Sequence, residues 1–368
     1  MKKHLVLVGG GHAHMTTLKK LNRFTARGHR VTVISRSPYQ YYSGMGPGML
    51  AGIYRPEEIR FPIKKMAEKA GGAFVEGEVL QVDPKVRRLT LSSGDKVSYD
   101  VVSFNTGSYV PLDRVVIESK ERVFPVKPIE NLLRAQENIL DLMGKGKPRI
   151  LIVGGGAAGV EIAGNAWRLI SEHGGEAKLS LLAGKKLLSR FPEDVERLVR
   201  KSFKARGIEV VEGTLLRRLE RRVAILDDAR HFPFDLVFMA LGIKPSSIFS
   251  DSGLPVGQGG GLLVNNYLQS VYYSEVFGGG DCISFQARPL DKVGVYAVRQ
   301  NPVLYHNLSA ALEGKKLKPF YPGGHYLLIF NLGNGRGVFC RNKWVFDGKG
   351  AFLLKNYLDR KFMRLYQT

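Results

Sequence analysis

The sequence predicts an α/β protein with two Rossmann-like βαβ units. Three observations carry this. Gly9-Gly10-Gly11-His12-Ala13-His14 follows the apolar run Leu5 to Val8, and Gly154-Gly155-Gly156-Ala157-Ala158-Gly159 follows Ile150 to Val153. After each turn the pattern passes from strand to helix and back to strand. Each unit later closes on a strand ending in a similar pair, Thr106-Gly107 or Leu241-Gly242. In such turns the first glycine permits a tight bend and the second lets the backbone approach a pyrophosphate. The helix N-terminus then meets the phosphate charge. One such turn is a weak signal. Two imply two dinucleotides on one chain, and so electrons moving between them.

Composition agrees. A chain of 368 residues with 44% hydrophobic content has room for two or three domains and an ample core. No apolar run reaches the roughly 18 residues of a spanning helix. The first strand is expected from about residue 4, with no signal peptide before it. Two cysteines make no disulfide framework and fit a reducing cytoplasm. Fifty-five Lys and Arg against 33 Asp and Glu leave a net +22. A basic surface suits solubility or an anionic membrane face. No nucleic-acid module is visible and the acidic residues are scattered, so nucleic acid is not an expected partner.

Read in order, Lys3–Val8 is a strand, about His12–Ala26 a helix and Arg30–Ser35 a strand. A loop rich in Gly, Pro and Tyr spans Pro38 to Gly48. Glu57 to Ala70 reads as helix. Ala73 to Val102 reads as an antiparallel meander with turns at Asp83-Pro84 and Ser93-Gly94-Asp95. A linker and a helix cover about Arg122 to Gly144. The second unit has strand Arg149–Val153, helix Ala158–Glu172 and strand Lys178–Ala183. A helix around Glu193–Arg206 and strands Ile208–Glu212 and Leu236–Ala240 complete it. Gly278-Gly279-Gly280-Asp281-Cys282 precedes a helix around Tyr296–Leu312. Short strands and a terminal helix form the last forty residues.

This order resembles the two-dinucleotide-binding-domain flavoproteins, the pyridine nucleotide-disulfide oxidoreductase superfamily. The resemblance implies an FAD domain (1–115 and 246–322) split by an inserted NADH- or NADPH-binding domain (116–245), with a C-terminal region at 323–368. Gly280-Asp281 is the most specific element beyond the glycine turns. The family's aspartate there holds the flavin ribityl chain, a role a carboxylate suits because it accepts strongly from hydroxyls. No redox cysteine pair follows the second strand, so the chain does not resemble a disulfide reductase. Cys282 and Cys340, which do not plainly pair, argue against sulfide:quinone oxidoreductase chemistry. The remaining branch is similar to the type II NADH:quinone oxidoreductases. A bacterial subgroup with Val-Gly-Gly-Gly-His-Ala-His and Tyr296-Ala297-Val298-Arg299-Gln300, in some members fused to selenide, water dikinase, is closer still. The resemblance implies hydride transfer from NAD(P)H to FAD and electron transfer to a quinone. A reductase of a small redox protein, or a selenium-pathway or redox-sensing flavoprotein, is the alternative.

Residue by residue, Gly9, Gly11, His12, Ala13 and His14 are expected at the FAD pyrophosphate. His12 and His14 read as phosphate-proximal loop residues, not metal ligands, and no metal is expected. Ser35 and Arg36 stand where the family has an acidic residue for the adenosine ribose. Pro47, Thr106, Gly107, Gly242, Gly280, Asp281 and Tyr296 join the cofactor-binding set. Gly154, Gly156, Ala158 and Gly159 should hold the NAD(P)H pyrophosphate. Glu161 matches a family position near the nicotinamide. Ala183, with Lys185 and Lys186 after it, lacks the carboxylate that would select NADH and so admits NADPH. Gln300 and Tyr296 match a quinone-facing helix surface; with Glu161 they are the candidate catalytic residues.

In the tail, Leu354, Leu358, Phe362 and Leu365 recur at helical spacing beside Lys355, Arg360, Lys361 and Arg364. Such a helix suits a membrane interface, each cation adding about 1 kcal/mol on an anionic surface. The expectation is peripheral contact with the cytoplasmic face of the cell membrane. Docking of this helix on its own body, or on a second copy in a homodimer, is the alternative.

Overall fold

The computed structural model describes residues 1–367. Two five-stranded parallel sheets dominate it. The first runs, in spatial order, Val276–Gly278, Val101–Phe104, His4–Val8, Arg30–Ser35 and Ala73–Glu76. The second runs Val123–Pro125, Leu236–Met239, Arg149–Val153, Lys178–Leu182 and Glu209–Val211. In each, the strand before the glycine turn is central. After its polar first residue, His4 or Arg149, it is apolar and buried, as a strand covered on both faces must be. Every strand of the second sheet lies between Phe104 and Val276 of the first sheet's chain.

Three smaller sheets of three or four strands are attached, with two further two-stranded pairs. One joins Val79–Asp83, Arg88–Leu91 and Lys96–Ser98. Another joins Val116–Ile117, Leu216–Glu220, Val223–Leu226 and His231–Pro233; most of it was not read from the sequence. The third joins Leu328–Asn331, Gly337–Arg341 and Trp344–Gly348. Gly348, at φ +148, then turns the chain sharply into the terminal helix Lys349–Tyr366.

Three elements differ from expectation. The helix predicted over 12–26 is a 3-10 turn at His12–His14 followed by short helices at Met15–Lys19 and Asn22–Thr25. Between the two helices, Leu21 and Phe24 bond back three residues instead of four, which tightens the turn. The helix predicted over 57–70 begins only at Ile63. Pro62 has no N–H and favours an extended residue before it, and Arg60–Phe61 is accordingly a short strand. The meander is confined to 79–98. Ala73–Glu76 instead extends the parallel sheet beside Arg30–Ser35.

Candidate functional site

The first glycine turn is locked by one side chain. Gly9 has φ +85, and a Cβ there would collide with the Asn105 carbonyl. Asn105 Oδ1 accepts the Ala13 N–H at 2.9 Å, and its Nδ2 donates to the Gly279 carbonyl at 2.6 Å. Asn105 thus joins the turn to the Gly280-Asp281 motif. His14 fills the place of the usual third glycine and is fully buried. Its Nδ1 lies 2.7 Å from the Gly9 carbonyl and its Nε2 2.8 Å from Ser103 Oγ. Burial pushes this imidazole down to about 4, so it is neutral at pH 7. His14 is a core strut and does not reach a phosphate through its side chain.

The second turn is open at its centre. A Cβ on Gly159 would strike the Gly154 carbonyl, so helix and strand are in close contact. Around Gly156 there is no atom within 4 Å of a Cβ position. Gly156 precedes helix Ala157–Glu172, whose first turn has no side-chain cap. Unpaired N–H groups at an open helix start suit a pyrophosphate. Beyond the neighbouring strand, Ala183 is buried and Lys185 exposed. Lys186 lies 3.2 Å from Glu196.

A charged cluster sits near the first turn. Lys127 Nζ lies 2.7 Å from Asp281 Oδ2, and Ser108 Oγ donates to the same oxygen at 2.9 Å. Burial opposes ionisation of Asp281, yet Lys127 and Ser108 hold its carboxyl below the usual range. His12 is buried close by. Its ring meets Tyr42 edge-on at 5.1 Å and Phe362 of the terminal helix at 5.9 Å. Burial lowers its pKa to about 4.

A second buried cluster lies where the terminal helix meets the body. Glu161 Oε1 accepts the Asn331 N–H at 2.7 Å. Lys355 Nζ donates to Asp359 Oδ2 at 2.8 Å, and Tyr42 OH donates to Asp359 Oδ1 at 3.1 Å. Burial raises the Glu161 carboxyl above its ordinary value, against the pull of Lys355. It also raises the Tyr42 hydroxyl well above 10.

The remaining expected residues fall as follows. Pro47 is buried in the short helix Gly46–Leu50. Gly107 and Gly242 have positive φ, and a Cβ on either would meet no atom within 4 Å. The Ser35 carbonyl accepts from Gly77, and Arg36 lies 3.6 Å from Glu78. Tyr296, near the start of helix Gly294–Glu313, packs edge-on against Tyr326 at 5.7 Å. Gln300 differs from its expected quinone-facing placement. It is 1% exposed, and its Oε1 accepts the Gly280 N–H at 2.6 Å. The amide braces the Gly280-Asp281 turn. Cys282 Sγ is buried against the Phe104 and Gly279 carbonyls, and both cysteines are free thiols. Asn105, Ser108, Lys127, Asn331, Lys355 and Asp359 were missed. They follow no motif; only the Lys355–Asp359 spacing of four was visible in the sequence.

These residues fit FAD. His12 Nε2 and Thr106 Oγ1 are buried without hydrogen-bond partners, a cost that a polar ligand relieves. Both flank Asp281 and the first glycine turn, where hydroxyl and phosphate groups find acceptors and donors. Two five-stranded parallel sheets, each with a glycine turn after its central strand, define an oxidoreductase that binds two dinucleotides. The family model of the pyridine nucleotide-disulphide oxidoreductases matches residues 3–307. The chain belongs to that family and is an FAD-dependent NAD(P)H oxidoreductase.

Relatives agree with this class. A type II NADH:quinone oxidoreductase of Staphylococcus saprophyticus is 23% identical over 98% of this chain and 95% of its own. Ferroptosis suppressor protein 1 of Xenopus laevis is 25% identical over 72% of this chain and 71% of its own. Among solved structures, NDH2 from Plasmodium falciparum in complex with NADH superposes with TM-score 0.84 at 13% identity, covering 99% of this chain and 97% of that one. The sulfide:quinone oxidoreductase of Aquifex aeolicus gives 0.80 at 18% identity, over 99% and 91%. These two likenesses concern the fold.

Proposed function

We propose that the protein is an NAD(P)H dehydrogenase that passes electrons from FAD to a quinone-type acceptor while resting on an anionic membrane surface. One observation carries the acceptor: the similarity to a type II NADH:quinone oxidoreductase spans nearly the full length of both chains. When bound, FAD supplies the chemistry, taking a hydride from NAD(P)H and giving two electrons onward.

The protein's part is binding, orientation and protons. Gly156, Ala158 and Gly159 present backbone N–H groups to the NAD(P)H pyrophosphate, and Gly154, whose N–H bonds the Leu182 carbonyl, makes the tight turn that brings them there. Gly11 and His12 do the same for FAD, while Gly9 and Ala13, whose N–H groups bond the Ile34 carbonyl and Asn105, set the shape of the turn beside its pyrophosphate. Ser35 and Arg36 lie at its adenosine end, and Asp281 receives ribityl hydroxyls. Thr106, Gly107, Gly242 and Gly280 keep the intervening turns open, with Pro47 and Tyr296 as walls. Quinone reduction consumes protons. Glu161, half-buried beside Lys355 and with its carboxyl raised above the ordinary value by burial, is suited to hold one there. Gln300 acts through Gly280 as a positioning residue, in place of the catalytic role expected for it.

The membrane reading is supported by the outer face of the terminal helix. No helix among the described residues is long and apolar enough to cross a membrane. Leu353, Tyr357, Leu358 and Leu365 are exposed on that helix, and Trp344 is 74% exposed on the adjoining hairpin. Lys361 and Arg364 are exposed among them. Such a mixed surface lies in a lipid interface, with its aromatics at headgroup level.

The test is spectroscopic. Anaerobic NADH should bleach the visible flavin bands of the purified protein, and a soluble quinone should restore them within the turnover time. Restoration only by a ferredoxin or rubredoxin would refute the acceptor assignment. Absence of flavin from protein purified with added FAD would refute the whole reading.

A further inference from the structure

The structure holds one charged contact that the proposed function does not use. Lys127 follows Val123–Pro125, the edge strand of the second sheet, and the adjacent Val126 N–H is bonded to the Met239 carbonyl at 3.0 Å. Its backbone is therefore fixed to the nucleotide domain. Its ammonium reaches out of that domain to Asp281, which follows the edge strand of the first sheet. Lys127 Nζ also donates to Ser108 Oγ at 2.9 Å, and Ser108 donates in turn to Asp281. Three groups thus close a triangle. The two contacts on Asp281 both fall on Oδ2, and neither falls on Oδ1.

From this geometry we infer that Lys127 is a positioning residue: it fixes the Asp281 carboxylate with Oδ1 turned to the flavin hydroxyls and ties that carboxylate to the nucleotide domain. This rests on the function proposed above. The physical reason is the cost of a carboxylate that is only 15% exposed. Unpaired, it would take up a proton or turn toward water. A protonated carboxyl is a poorer acceptor for a hydroxyl than a carboxylate. Lys127 prevents both and adds a rigid second attachment through Ser108. Lys292 also pulls on the Asp281 carboxyl, more weakly, but among the described residues no cation other than Lys127 is hydrogen-bonded to it. Lys292 is turned to the Ile283 carbonyl, His12 is neutral, and Cys282 is a buried thiol whose pKa burial raises.

Binding of FAD to apoprotein, followed by fluorescence from pH 5 to 8, tests the inference without turnover. Lys127→Met should weaken FAD binding about ten- to a hundredfold, the loss of a charge-assisted contact. The loss should deepen as pH falls, because without the lysine the carboxyl takes up a proton more readily. Lys127→Arg should restore much of the affinity and flatten the pH profile. In an Asp281→Asn background, Lys127→Met should cost little more, since the lysine acts through the carboxylate. Binding of NAD+ to the same variants reports that the nucleotide domain is folded. Wild-type affinity and pH profile in Lys127→Met would overturn the inference. So would full additivity with Asp281→Asn. Failure of the unmodified protein to bind FAD would instead overturn the function proposed above. Should Lys127→Met fail to bind NAD+, Ser108→Ala serves instead. It removes one side of the triangle and should weaken FAD binding severalfold, whereas an unchanged affinity there overturns the inference.

Discussion

Lys355 of the terminal helix donates to the Gly44 carbonyl across 2.7 Å, fastening that helix to the loop that carries Pro47. The same ammonium meets Asp359, and both side chains are nearly buried, at 13% and 10% exposure. Removing one partner strands the other. Lys355→Met should lower unfolding free energy by about 3–5 kcal/mol in urea titrations, and Lys355→Met with Asp359→Leu should recover most of it.

The helix has two faces with two duties. Ala351, Asp359 and Met363 face the body, whereas Leu353, Tyr357 and Leu358 face outward. Replacing those three outward residues with serine should release the protein from anionic vesicles in sedimentation assays while FAD stays bound. Deleting 349–366 should lose both. Vesicle binding that survives the triple replacement would place the membrane contact elsewhere.

Stability should fall on acidification. His12 and His14 have folded pKa values of about 4 because of burial, below the 6.5 of an exposed imidazole. Protons therefore favour the unfolded chain. Stability from each histidine is complete above pH 6.5 and is lost as pH falls towards 4. At pH 5 the loss is about 2 kcal/mol per histidine. Urea midpoints at pH 7 and 5 measure it, and His14→Phe should flatten the dependence.

His12 carries an unpartnered Nε2. His12→Leu should stabilise the apoprotein by about 1–3 kcal/mol, read as a higher melting temperature, and weaken FAD binding. A less stable apoprotein would show that the nitrogen already has a partner.

Nucleotide preference should follow Lys185 more than Lys186, which is engaged with Glu196. Lys185→Ala should lower kcat/KM for NADPH about fivefold relative to NADH. Ala183→Glu should shift preference to NADH, and the ratio of the two constants is the readout.

Much of this architecture was legible because its signals are local. The glycine turns, their buried strands and Gly280-Asp281 each lie within a short stretch of chain. The terminal helix was visible from its periodicity, but its orientation was not. Which face docks depends on Gly44, Tyr42 and Tyr54, far away in sequence. The same holds for Lys127 and Asp281, 154 residues apart. Gln300 shows the opposite error. Its helix was expected correctly, but one buried N–H at Gly280 turned its side chain inward.

The terminal helix also bears on the order in which the molecule is made. Phe362 packs on His12, and Lys355 and Asp359 wall off Tyr42, whereas both parallel sheets are complete by Gly278. During synthesis both nucleotide folds can therefore form before the segment that covers His12 and Tyr42 exists. The first glycine turn is then exposed at His12, and the emerging helix covers that residue last.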